Sequence, residues 1–110
     1  MKITDAQMFE SLEFLRDDDY KISNARARRI TIEEGRKHLK ARLINQSESK
    51  SFVQKEQDAY SNVEYRKLLD SLHIAIADDE HYRMQTDFHK ARIEVWRSQS
   101  ANDRFVNQRI

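Results

Sequence analysis

The sequence predicts an all-α fold, and three observations predict it. Proline is absent and glycine occurs once, at Gly35, in 110 residues, whereas β-hairpins need turn residues at nearly every reversal. Charged residues make up 35% against 38% hydrophobic, a balance that suits long helices with narrow apolar seams better than a globule with wide buried faces. Apolar residues also recur at three- and four-residue spacing over long stretches. Together these lead to a long antiparallel helical hairpin or coiled coil with a short N-terminal helix. It forms a single helical domain over residues 1–110, with a core thin enough that oligomerisation is expected.

The first helix is expected over 4–16. Thr4 followed three residues later by Gln7 has the form of a capping box, and Met8, Leu12 and Leu15 then share a face beside Phe9. Asp17 to Asp19 can end this helix and cap the next, because carboxylates favour helix N-termini. A second helix follows over 19–45, with Ala25, Ile32, Leu39 and Leu43 as its seam. Gly35 weakens it by about 1 kcal/mol relative to alanine without breaking it, and could mark the close approach of a partner helix.

Gln46 to Ser51 is the most loop-like stretch, and the chain reverses within 46–61, where Phe52 to Tyr60 forms a further turn or two of helix. A long helix over 62–98 closes the hairpin, about 55 Å in length. Its first half places Tyr65, Leu69, Leu72 and Ile76 in one seam. Its second half carries Ile74, Ala77, His81, Met84, Phe88, Ala91 and Val95 in unbroken three-four alternation on another face. One straight helix with two displaced seams needs two neighbours, so Leu39, Leu43, Leu72, Ile76, Met84, Phe88, Val95 and Trp96 form the expected packing and oligomer seam. Residues 99–110 are polar and read as a tail.

Charge is segregated along the chain. Lys21 to Arg42 carries eight basic residues against Glu33 and Glu34, while the whole chain is only +1. The region from Asp5 to Tyr20 is acidic. On a helical wheel Arg26, Arg29, Arg36, Lys37 and Lys40 share an arc of about 100° and span about 21 Å of helix, enough to follow several phosphates of a nucleic-acid strand. The same arc borders a packing seam, and Asp70, Asp78, Asp79, Glu80, Asp87 and Glu94 of the last helix could neutralise it instead. Tyr60, Tyr65, Tyr82, Phe88 and Trp96 could stack on bases, but none is interleaved with the basic block. Tyr65, Phe88 and Trp96 fit a core or interface better.

No enzyme is expected. Cysteine is absent, which removes disulfides, thiolate nucleophiles and cysteine-bound zinc, and no glycine-rich phosphate loop or nucleophile motif occurs. His73, His81 and His89 recur every eight residues with Asp70 and Asp78 nearby. Bundle metal sites use Glu-x-x-His, which this chain lacks, so neither metal nor cofactor is expected. His81, inside the apolar seam, is expected to be a buried polar residue with its hydrogen bonds satisfied. No apolar run reaches the length of a membrane span, and the N-terminus has no signal-peptide core. A cytoplasmic location follows, in the host if the chain is viral.

The most distinctive string runs from Ala91 to Arg104. It resembles the ending of a group of small helical bacteriophage proteins, in which a helix closing on Ile-Glu-Val-Trp-Arg-Ser precedes Ala-Asn and an arginine. Those proteins are grouped with UvsY-like recombination mediators. The upstream order is similar too: Ala25-Arg26-Ala27, Arg36-Lys37 with Lys40-Ala41, a serine-rich turn, Tyr65, and a long final helix, over residues 20–104. The resemblance implies a homo-oligomeric coiled-coil protein that binds single-stranded DNA and helps load a recombinase against single-strand-binding protein. The acidic first helix and near-neutral total charge depart from a DNA-coating protein. A second reading therefore stays open, in which the chain is a coiled-coil adaptor, or an inhibitor of a host complex, with no nucleic-acid binding.

Overall fold

The computed structural model describes residues 2–109, and every regular element among them is helical: α1 (Asp5–Asp17), α2 (Asp19–Gln46), α3 (Phe52–Ser61) and α4 (Val63–Arg109). The all-α architecture expected from composition and periodicity is the one observed. No helix among the described residues is long and apolar enough to cross a membrane.

The helix boundaries follow local chemistry. Thr4 caps α1 by accepting from Gln7 N, while the Gln7 side chain accepts from Thr4 N, the reciprocal capping box its sequence predicts. Asp18 closes α1, and its N–H bonds the carbonyl of Phe14. At the other reversal, Ser51 caps α3 through Gln54 N. Asp58 gathers the loop before it, accepting from Ser47 Oγ at 2.8 Å, Ser49 Oγ at 2.6 Å and Gln54 Nε2 at 3.0 Å. These bonds, Ser49 foremost, hold the Asp58 carboxyl below its ordinary pKa. Asn62 takes an extended conformation between α3 and α4, and its side chain accepts from Glu64 N at 2.8 Å.

Contacts divide the chain into two compact units, residues 24–80 and residues 1–23 with 81–110, where the sequence leads to one domain. In the first, α2 lies antiparallel to the start of α4: Arg42 meets Glu64 at 2.7 Å, and Arg28 meets Asp78 at 3.9 Å. Leu43, Ala59 and Tyr65 form its core, with Leu39 and Ile44 packed against them. Leu72 and Ala75 are also buried. Gly35 marks no close approach, because a Cβ there would meet nothing within 4 Å.

In the second unit, α1 lies antiparallel to the later part of α4. Trp96 Nε1 donates to Asp5 at 2.8 Å, and Lys2 pairs with Asp103 at 3.1 Å. Ile3 and Gln99 exchange two hydrogen bonds, at 2.9 and 3.1 Å. The expected tail is thus corrected: α4 continues to Arg109. Ser98 to Arg109 is polar, but it has no proline or glycine to stop the helix, and polarity alone does not end one.

Candidate nucleic-acid interface

The cationic face of α2 is only partly open. Arg29 is tied to three carboxylates: Glu33 on its own helix at 3.0 Å, and Asp79 and Glu80 on α4 at 3.1 Å each. These bonds, that to Glu33 first, raise the guanidinium pKa. Its side chain is 29% exposed and that of Asp79 17%, so Arg29 stitches α2 to α4. It is a packing residue first, and its placement on the open binding face is corrected accordingly.

The four other members of the expected arc behave differently. Arg26 is exposed and Arg36 half-buried, and neither forms an ion pair among the described residues. Lys37 is exposed and, among the described residues, pairs along its own helix with Glu34 at 3.2 Å, a contact worth a few tenths of a kcal/mol. Lys40 places Nζ 4.7 Å from the centre of the Tyr60 ring. Hydrogen bonding to Tyr60 raises the Lys40 pKa, which keeps the ammonium charged.

Sequence reasoning names Tyr60 as a stacking candidate but does not place it beside Lys40. It lies 20 positions beyond Lys40, so nothing in local spacing joins them; folding of α3 back onto α2 does. Its ring is 46% exposed and stands edge-on to buried Tyr65, with centroids 5.4 Å apart. An accessible aromatic therefore does accompany the basic strip, in space and not in sequence. A half-buried cation beside a half-exposed ring is a pairing that single-stranded nucleic acid can engage through phosphate and base.

Of the expected seam, Leu43 and Leu72 are buried, and Leu39, Ile76 and Trp96 are half-buried. Met84, Phe88 and Val95 are 70%, 54% and 47% exposed, so the described residues cover them only in part. His81 is also exposed, against the expectation of a buried polar residue, because α1 packs on a different face of α4.

The buried histidine is His89, eight residues further on. Its Nδ1 lies 2.9 Å from Ser11 Oγ, which also accepts from Arg92 Nε at 2.7 Å. The arginine can only donate, so the hydroxyl accepts from it, while the direction of the Ser11–His89 bond is set by the imidazole tautomer. Burial and then Arg92 lower the His89 pKa, opposed by Glu10 and Asp18. Phe14 stacks on the ring at 4.2 Å between centroids. A serine–histidine pair invites comparison with a nucleophile and its base, but Ser11 is 0% exposed, so no substrate reaches it. Among the described residues, no group of three histidine or acidic side chains is placed to hold a metal ion.

No family model, curated protein or solved structure matches the chain.

Proposed function

We propose that this chain is a non-enzymatic accessory factor in phage DNA recombination or replication. It works in the host cytoplasm as a homo-oligomer that binds single-stranded DNA and assists recombinase loading against single-strand-binding protein. The observation that carries the DNA part is Lys40 beside the half-exposed ring of Tyr60, on the helix that also carries Arg26, Arg36 and Lys37. The likeness of the Ala91–Arg104 string to the UvsY-like group supplies the recombination context. Binding would rest on the sugar–phosphate backbone, weak in sequence preference and sensitive to salt.

The test is fluorescence anisotropy of a labelled single-stranded oligonucleotide titrated with protein at rising salt. About three phosphate contacts give a slope of roughly −2 for the logarithm of affinity against the logarithm of salt. Arg26→Glu with Arg36→Glu should abolish binding and leave helicity intact. Absence of binding at low salt sinks the proposal.

A second reading has its own support. Arg28, Arg29 and Arg42 are paired with acids of α4, as expected of a protein-interaction module whose charges serve its own packing. A partner retained in pull-downs after nuclease treatment, from a protein that fails the anisotropy assay, favours that reading.

A further inference from the structure

We propose that a clasp centred on Asp58 holds Tyr60 beside Lys40 as a preformed stacking site for an unpaired base, with Asp58 as its positioning residue. This deepens the DNA part of the proposed function and rests on it. It adds base recognition to contacts that otherwise engage the sugar–phosphate backbone.

Apolar packing alone does not orient α3. The helix has ten residues, and helices that short are marginal without tertiary support. Among the described residues of α3 only Ala59 is buried, whereas Phe52 and Val53 are 63% and 66% exposed. One methyl group anchors a helix without fixing its rotation. Polar bonds supply the rest. The ionised Asp58 carboxylate only accepts, and it takes Ser47 Oγ, Ser49 Oγ and Gln54 Nε2 at 2.8, 2.6 and 3.0 Å. Ser47 and Ser49 belong to the segment that follows α2, and Ser49 N closes that segment on Ser47 Oγ at 3.2 Å. These bonds tie α3 to the end of the helix that carries Lys40.

Successive helical residues stand about 100° apart, so Asp58 and Tyr60 flank buried Ala59 on opposite sides. A roll of α3 that frees Asp58 therefore swings Tyr60 away from Lys40. With the clasp closed, Lys40 Nζ sits 4.7 Å from the Tyr60 ring centre, and Tyr65 braces the ring edge-on. The ring stays 46% exposed. Glu56 also acts on Lys40 and offsets part of its charge, which leaves the ring as the feature that tells a base from a bare phosphate. Every base has a face that stacks on an aromatic ring, and a ring already held in place loses little freedom when one does. Duplex bases are stacked on each other, so the ligand is an unpaired base.

The test compares two labelled single strands of equal length, oligothymidine and a chain of abasic sites, by anisotropy. Proton NMR follows the Lys40 ε-methylene, which a ring held beside it shifts upfield. In Asp58→Ala the upfield shift should disappear, and affinity for oligothymidine should fall about tenfold. Tyr60→Ala should do the same, and the double variant should lose no more. On the abasic strand the parent and all three variants should bind alike. Asp58→Asn keeps an acceptor oxygen for both serines and should restore shift and affinity. Where Asp58→Ala costs helicity by circular dichroism, Ser49→Ala opens the clasp from the other side and is judged by the same readings. Retention of the shift without the clasp, equal loss on both strands, or no loss at all overturns the inference and leaves the backbone contacts standing. A parent that binds neither strand overturns the DNA reading and the inference with it, so the two failures are distinguishable.

Discussion

The hydroxyl of Ser11 bridges two helices by standing 2.9 Å from Nδ1 of His89 while accepting from Arg92. It is fully buried, so none of these groups can turn to water instead. Ser11→Ala strands the imidazole nitrogen and the Arg92 Nε together. The expected cost is about 1 to 3 kcal/mol, read from the urea midpoint.

The same contact makes stability depend on pH. His89 has its pKa lowered by burial, so below about pH 6.5, the ordinary histidine value, the unfolded chain takes up a proton that the folded chain refuses. Stability is then complete above that value and falls as pH falls. Thermal melts between pH 8 and 5 should show the loss for the parent and a shallower one for His89→Gln, which cannot titrate. Equal slopes would show that His89 is not the group responsible.

Arg29 and Arg36 should separate stability from binding. Arg29→Gln leaves Asp79 and Glu80 without their cation, so melting temperature should drop while oligonucleotide affinity changes little. Arg36→Glu should do the reverse. If the two variants behave alike in both assays, the division of the basic face is wrong.

Gly35 is helical, without positive φ, and has open space where a Cβ would stand. Gly35→Ala should therefore stabilise the protein by about 1 kcal/mol. A decrease on chemical denaturation would reveal a helix seated against Gly35 in the assembled protein.

Leu43 sits at the centre of the small cluster with Ala59 and Tyr65. Leu43→Ala should cost about 2 to 3 kcal/mol, measured by denaturant titration. A neutral result would place the folding energy of residues 24–80 elsewhere.

Much of the backbone was legible from neighbours in sequence. Thr4 and Gln7 announced the start of α1, and Asp17 to Asp19 announced the break before α2. Failures came where partners are distant. The tail differs because Ile3 and Gln99, which tie the end of α4 to the N-terminus, are 96 positions apart, and Lys2 and Asp103 are further apart still. His81 and His89 share a helix and a residue type, and only the placement of α1 decides which is buried. The five-cation arc was visible on a wheel, but the acids that claim Arg29 and the ring beside Lys40 become neighbours only once the chain folds.

Six buried apolar side chains among the described residues bear on how the protein responds to temperature. Unfolding takes up heat capacity in proportion to the apolar surface it exposes, typically about 12–15 cal/mol/K per residue. So sparse an interior places the isolated chain below that range, with a broad, flat stability curve and a shallow thermal transition. Any assembly that covers Met84, Phe88 and Val95 must add to that heat capacity, so calorimetry at two protein concentrations would register it as a sharper, later melt.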